Sequence, residues 1–270
     1  MTFSLRAQFD LTGRVALITG AANILGPEFA AALAEFGAHL ALADINAEAC
    51  TRVAQQVGET YGTKTLAIVT DVADKSSVIA MVEKMLSAFG RIDILINAAA
   101  TKSPDYFRPL TEYNLEDWNQ VMAVNLTGMF LCAKHVVPHF IDQKQGNIIN
   151  IASIYGVVGP DPRIYEGSWY LGQRINTPPV YAASKGGVVN FTRYLATTLA
   201  PYNIRANCIT PGGVFSGQNE TFVERYSARV PLGRMAHREE LRGAVLFLAS
   251  DASSYVTGHN LVVDGGWTAW

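Results

Sequence analysis

Short, apolar, β-rich runs alternate with longer stretches of helical periodicity along almost the whole chain, and that alternation constrains its fold most tightly. VALIT (15–19), AHLALAD (38–44), TLAIVTD (65–71), DILINAA (93–99), GNIINIAS (146–153), IRANCITPG (204–212) and NLVVDGG (260–266) read as strands. One helical pattern opens at Pro27 and stops at Gly37, a polar one ends about Gly58, and a third ends at Gly90. Others run from near Leu115 past Val136, from about Tyr181 to Leu199, and over 239–250. The continuous apolar character of GNIINIAS is that of a strand buried on both faces. Strands spaced by helices give parallel βαβ units with right-handed crossovers. The expected fold class is therefore α/β, a doubly wound parallel sheet with helices on both faces. No repeat, linker or low-complexity tract divides the 270 residues, so 1–270 reads as a single domain. Residues 157–180 break the rhythm as a long loop rich in Pro, Gly and aromatics; such a loop in a compact domain is more often functional than accidental.

Composition narrows the functional classes. Hydrophobic residues make up 49% and charged residues 16%, enough for a sizeable core and too apolar for disorder. With 21 basic against 23 acidic residues and no long run of either sign, nothing points to nucleic acid or a membrane surface as a partner. Cys50, Cys132 and Cys208 are too far apart for a metal knuckle or a CxxC redox pair and read as buried reduced thiols. His39, His135, His139, His237 and His259 show no metal spacing, so no metal site is expected. MTFSLRAQFDLTG lacks the apolar core of a signal peptide, and no run of about 18 apolar residues is present. A soluble cytoplasmic protein is the expectation.

Thr19 to Gly26 spell TGAANILG, between the first strand and a helix that opens with Pro27. Backbone N–H groups at a helix N-terminus, with its partial positive charge, suit a pyrophosphate. Gly20 would make the tight turn and Gly26 would let the helix pack on the strand. A plain strand-to-helix turn has the same outline. Asp44 ends the next strand, 24 residues after Gly20, where a carboxylate meets an adenosine ribose 2′-hydroxyl and repels a 2′-phosphate. No Arg or Lys stands at 21–25 or 45–47 to attract such a phosphate. Together the two features favour NAD over NADP.

Tyr181 and Lys185, in YAASK, are four residues apart and share one helix face. A phenol titrates near pH ~10, too high for a base at neutrality, and a neighbouring ammonium favours its phenolate. Ser153, at the carboxyl end of a strand, is placed to hydrogen-bond and polarise a substrate oxygen. Taken alone, Tyr-x-x-x-Lys is also common on helix surfaces.

With their neighbours, these residues resemble the compact, single-domain short-chain dehydrogenase/reductase family. The likeness runs from about Gly13 to Trp267. It rests on LITGAANILG, Asp44, TDV (70–72), INAA (96–99), VNLTG (124–128), INIAS (149–153), YAASK (181–185), ITPGGV (209–214) and SYVTGHNLVVDGG (254–266), in that order. The resemblance implies a Rossmann-like NAD(P)-binding domain and a role for each matching residue. Tyr181 is then the catalytic acid/base, and Lys185 lowers its pKa and holds the nicotinamide ribose. Ser153 orients the substrate, and Asn125 holds a water that passes protons towards Lys185. Gly20, Asn23, Ile24, Leu25 and Gly26 form the phosphate turn, while Asp71 and Val72 meet the adenine. Asn97 and Ala98 support the cofactor from the central strand. Pro211, Gly212, Val214 and Ser216 enclose the nicotinamide end, Ser216 standing where the family usually has Thr. There are two departures: Ile24 replaces the middle glycine of the turn, and Asn97-Ala98-Ala99-Ala100 replaces Asn-Asn-Ala-Gly. A Cβ at residue 24 disfavours positive φ and crowds a phosphate. The expectation is a cradle reshaped but still able to bind NAD.

Ser153 and Tyr181 are 28 residues apart, further than in most relatives, because of the segment 157–180. Read as a substrate lid, that segment offers Arg163 and Arg174 to a carboxylate or phosphate, and Tyr165, Trp169 and Tyr170 to a sugar face. Read as a plain insertion, it packs a subunit contact. RIYEGS (163–168), followed by PPVYAASKGGVVNFTRYLA, resembles a branch of the family associated with sugar modification. The expected function is NAD-dependent hydride transfer between nicotinamide and a secondary alcohol or ketone on a sugar, sugar acid or polyol. Reduction of β-keto acyl or other apolar ketones is one alternative, and a non-catalytic nucleotide-binding scaffold is another. The family's habit of pairing through two long helices implies a homo-oligomer, tetramer or dimer.

Overall fold

Every central strand buries both of its faces, and the placement of the helices follows from that. The computed structural model describes residues 4–170 and 172–270. A short helix α1 (Leu5–Gln8) precedes β1 (Val15–Thr19), α2 (Gly26–Glu35), β2 (His39–Asp44), α3 (Ala47–Tyr61), β3 (Thr65–Val69), α4 (Lys75–Phe89) and β4 (Ile94–Asn97). Then come α5 (Leu115–Met122), α6 (Gly128–Gln143), β5 (Gly146–Ile151), and two small strands, β6 (Trp169–Tyr170) and β7 (Gln173–Arg174). The chain ends with α7 (Pro179–Leu199), β8 (Ile204–Pro211), α8 (Glu220–Ser227), α9 (Arg242–Ala249) and β9 (Asn260–Val263). One seven-stranded parallel sheet has the order β3-β2-β1-β4-β5-β8-β9, and β6 pairs antiparallel with β7 as a separate hairpin. This is the doubly wound α/β architecture read from the sequence.

The two-residue period of the strands sorts their side chains between two cores. Ala16, Ile18, Leu40, Leu42, Ile94 and Ile96 pack with Phe29 and Leu33 of α2, Val57 of α3 and Val245 and Leu248 of α9. Val15, Leu17, Ala41, Leu95 and Ile148 pack on the other side with Met81 and Met85 of α4, Val136 and Phe140 of α6, and Leu195 of α7. Each fully buried Leu, Ile or Phe contributes about 1.5–3 kcal/mol. The strand order reverses between β1 and β4, whose last residues Thr19 and Asn97 lie opposite each other. In open parallel sheets the ligand crevice lies beyond the carboxyl ends of the strands at such a reversal.

Several boundaries differ from the sequence reading. α3 continues through Gly58 to Tyr61, and Gly62 ends it at φ 66°. Gly58 is there for contact: a Cβ on it would lie 2.9 Å from the Thr65 hydroxyl oxygen. α7 starts at Pro179, two residues before Tyr181, as a Pro in the first turn permits. Residues Leu115–Gln143 form one 29-residue helical unit whose length and mean composition would suit a membrane span, although polar residues interrupt it and it holds no run of about 18 apolar residues. Its Cys132, Val136 and Phe140 are instead packed against the sheet. Segment 157–180 is structured too, holding a 3-10 turn (Pro162–Tyr165) and the β6–β7 hairpin. Its Ile164 and Ile175 are buried with Ile154, Phe222 and Tyr226. All three cysteines are buried and unpaired.

The contact between β1 and α2 is the tightest of these. A Cβ on Gly26 would stand 2.5 Å from the carbonyl oxygens of Gly20 and Ala21. Gly26→Ala is expected to cost about 1–3 kcal/mol through overpacking, read as a lower urea midpoint. An unchanged midpoint would show slack in the turn.

Candidate active site

The β1–α2 turn is built around backbone contact. Gly20 has φ 66°, and a Cβ on it would lie 2.6 Å from the Ala99 Cα, so only glycine brings the turn this close to the end of β4. Asn23 fixes the turn from within. Its Nδ2 donates to the Ala98 carbonyl at 2.7 Å, and its Oδ1 accepts from Leu25 N and Gly26 N at 2.9 and 2.8 Å. Ile24 is absent from the residues with positive φ, and its side chain is 46% exposed. The branched residue therefore sits in ordinary backbone without strain. Asp44 accepts from Ala22 N and from Asn46 N, both at 2.9 Å, and so ties the turn to the end of β2. Gly20, Ala22, Asn23, Asp44, Asp71 and Val72 line a hollow of about 310 Å³.

A larger cavity of about 590 Å³ adjoins it, with Asn23, Ala100 and Thr101 lining both. Ser153, Tyr181, Lys185, Ile24, Leu25, Ala98, Pro211, Gly212 and Val214 all face this second space. Ser153 follows β5 in extended backbone, and Tyr181 and Lys185 project from the first turns of α7. The Tyr181 ring is held edge-on by Tyr106 and Tyr155, each with its centroid at 6.4 Å. Burial raises the Tyr181 phenol above its ordinary pKa, and a hydrogen bond with Ser153 opposes that rise. Lys185, only 3% exposed, donates from Nζ to the Ile151 carbonyl at 2.8 Å and lies 5.7 Å from the Tyr181 ring centroid. Burial pulls its pKa down to about 8.

Other expected residues support the cavities from behind. Asn125 is fully buried on a π-helical turn (Ala123–Thr127) joining α5 to α6. Its Oδ1 accepts from Thr101 N at 3.0 Å, and its Nδ2 donates to the Ser184 hydroxyl at 3.4 Å. It thereby links the loop after β4 to the residue beside Lys185. Asn97 donates to Asn150 Oδ1, and Asn150 donates to the Thr192 hydroxyl, each at 2.9 Å, joining β4, β5 and α7. Ser216 accepts from Gln218 Nε2 at 3.1 Å, just outside the cavity lining.

The insertion is split in its placement. Tyr165 lines the larger cavity, and its hydroxyl shares a 2.6 Å hydrogen bond with that of Tyr155. Arg163 turns away: its guanidinium pairs with Asp161 at 2.8 Å and is 72% exposed. Arg174 lines a neighbouring hollow with Asp105, Arg108 and Glu166, and Tyr165 lines both that hollow and the larger cavity. Trp169 stays 53% exposed in the hairpin and lines neither cavity. Lys102, Tyr106, Gln218, Phe222, Tyr226 and Met235 line the larger cavity and were missed in the sequence. For Lys102 and Tyr106 a signal existed, since both follow a strand that ends at the sheet reversal.

Comparison with known proteins fits this geometry. A family model described as enoyl-(acyl carrier protein) reductase matches residues 20–268. Cis-4-hydroxycyclohexanecarboxylate dehydrogenase of Sinomonas cyclohexanicum is 38% identical over 95% of this chain and 97% of its own. The 3-oxoacyl-[acyl-carrier-protein] reductase of Thermotoga maritima is 37% identical over 95% and 98%. The crystal structure of a gluconate 5-dehydrogenase from Burkholderia cenocepacia, in complex with NADP and tartrate, superposes with a TM-score of 0.88. It is 34% identical, over 99% of this chain and 100% of that one. The chain belongs to the short-chain dehydrogenase/reductase family, whose reaction is hydride transfer between a nicotinamide cofactor and a secondary alcohol or its ketone. The residues present fit that cofactor: a Cβ at Gly20 or Gly26 would collide within the turn, and the hollow at Asp44 shares Asn23, Ala100 and Thr101 with the one at Tyr181.

The buried ammonium has a thermodynamic signature. Lys185 titrates lower folded (about 8) than unfolded, so its protonation favours unfolding. The cost is present below pH 8 and is relieved as pH rises towards the ordinary lysine value of ~10.4. Denaturant melts of wild type and Lys185→Met should therefore converge across that window, with wild type gaining stability relative to the variant. A difference that stays flat with pH would contradict the buried charge.

Proposed function

We propose that this protein is an NAD-dependent dehydrogenase/reductase of secondary alcohols on a sugar, sugar-acid or polyol skeleton. The observation that carries the reading is the convergence of Ser153, Tyr181 and Lys185 on a cavity that adjoins the glycine turn. Relatives acting on a hydroxycyclohexanecarboxylate and on gluconate support an oxygenated, compact substrate. Asp44 supports NAD: a carboxylate held by Ala22 N and Asn46 N lines the smaller hollow, which among the described residues has no cation in its lining. The gluconate dehydrogenase that binds NADP makes this selectivity a property to be tested on this chain itself.

Bound nicotinamide supplies the hydride acceptor or donor. The chain's own residues manage the oxygen. The Ser153 hydroxyl bonds to the substrate oxygen and sets its position. Tyr181 Oη takes the alcohol proton in oxidation and returns it in reduction. Lys185, charged and anchored on the Ile151 carbonyl, stabilises the phenolate. Asn125, fixed between Thr101 and Ser184, is the proposed holder of a water leading protons towards Lys185. Tyr165 and Tyr155 wall the substrate side. A second reading, reduction of β-keto acyl or other apolar ketones, is favoured by the apolar residues Ile154, Phe222 and Met235 in the same lining and by the Thermotoga relative. Phe130 and Tyr194, exposed on α6 and α7 with Phe191 between them, support a homo-oligomer joined through those helices.

Titration with NADH and NADPH, followed by nicotinamide fluorescence, tests the cofactor. NADH should bind at least tenfold more tightly, and Asp44→Ser should narrow the gap; equal affinities in wild type would refute the selectivity. Tyr181→Phe is expected to lose about 10²–10⁴-fold in turnover while binding NADH within a few-fold of wild type. The pH profile follows from the raised phenol. Oxidation, which needs phenolate, should accelerate with rising pH until about pH 8, where Lys185 starts to lose the charge that stabilises it. Reduction, which needs phenol, should stay level and then fall. Near wild-type turnover in Tyr181→Phe would remove the assigned acid/base.

A further inference from the structure

We propose that Lys102 holds an anionic group of the substrate, a carboxylate or a phosphate, which makes the substrate a polyhydroxylated acid or phosphate ester in preference to a neutral polyol. This rests on the hydride-transfer reading above. Among the described residues, the larger cavity is lined by two lysines and by no Asp, Glu, Arg or His. Lys185 is committed to the Ile151 carbonyl below Tyr181. Lys102 is the other. It follows β4 in the loop that carries Tyr106 to its place against Tyr181, and it is exposed at the edge of the cavity.

Its ammonium is positioned but not neutralised. Nζ lies 4.3 Å from the Tyr170 ring centroid and 5.7 Å from that of Phe107, two aromatic faces that steady a cation without cancelling its charge. Among the described residues it has no carboxylate within salt-bridge distance and donates no hydrogen bond; nearby Asp105 is paired with Arg108. Lost hydration lowers its pKa, a cost that an incoming anion would relieve. Arg163, first expected to meet such a group, is paired with Asp161, and Arg174 lines the neighbouring hollow and not this cavity. An anion at Lys102 would align the far end of the chain while Ser153 and Tyr181 address the reacting hydroxyl.

Three six-carbon probes separate the cases: D-gluconate carries a carboxylate, sorbitol 6-phosphate a phosphate, and sorbitol neither. With NAD and wild-type protein, one charged probe should exceed sorbitol by about 10- to 100-fold in kcat/KM, chiefly through KM, as a charge-assisted bond predicts. Whichever charged probe leads identifies the anion. Lys102→Met should raise that probe's KM by a similar factor and shift the KM of sorbitol far less, and Lys102→Arg should restore most of the preference. Sorbitol used as well as the charged probes, or a Lys102→Met change that moves all three alike, would overturn the proposal and leave the hydride-transfer reading standing. No oxidation of any probe would remove the polyhydroxylated class and this proposal with it, while NADH binding would still report on the cofactor site.

Discussion

A lysine ammonium buried without a carboxylate is costly, and the active-site region is arranged around one. Lys185 offsets part of its desolvation by donating to the Ile151 carbonyl at the end of β5, which pins α7 to the sheet edge. That bond and the apolar packing of Val188, Val189 and Leu195 hold the helix on the sheet, and the four-residue spacing then sets the position of Tyr181. Behind it the chain Asn97–Asn150–Thr192 fixes β4, β5 and α7 together, so the helix has little freedom to slide. Under the proposed mechanism, the charge that destabilises the fold is also the one that would make a phenol usable as a base. Stability and function draw on the same residue in opposite directions.

The rest of the site inherits its geometry from the sheet reversal. β1 and β4 end side by side, and the turn after β1 must pass over the end of β4 with no room for side chains at Gly20 or Gly26. The loop after β4 has no such restriction and brings Lys102 and Tyr106 to the cavity. The insertion closes the far side through the Tyr155–Tyr165 hydroxyl pair and through Ile164 and Ile175, buried against α8. Its outer charges, Asp161 with Arg163 and Arg229, hold the segment to the α8 region and serve anchoring, not the cavity.

The strand–helix alternation was legible because the central strands are buried on both faces and the longer helices on one. The turn glycines, Asp44, Ser153, Tyr181 and Lys185 were legible because their chemistry depends on fixed local spacing. Ile24 was read as a threat to the turn. The backbone there never needs positive φ, so a branched residue is tolerated, and that tolerance belongs to a dihedral angle the sequence does not display. Arg163 and Arg174 were misleading for a different reason. Asp161 as the partner of Arg163, and the hollow that Arg174 lines beside Arg108, are set by how the insertion folds, and charge alone carries no direction. Lys102 escaped notice because a lysine in a loop is unremarkable until the rings around it are placed. The end of α3 shows the same limit: Gly58 and Gly62 look alike in sequence, yet one admits a neighbour and the other takes the left-handed turn.

The central claim is that hydride and proton are exchanged with a secondary carbon under Tyr181. Its most direct test is isotopic. The protein is incubated with NADH deuterated at the transferable position and with a panel of keto sugars, keto acids and cyclic ketones, and the products are read by mass spectrometry. The account predicts one deuterium on the carbinol carbon of a reduced product with wild type, and its loss with Tyr181→Phe. Unlabelled products throughout the panel, or label transferred equally by the variant, would contradict it.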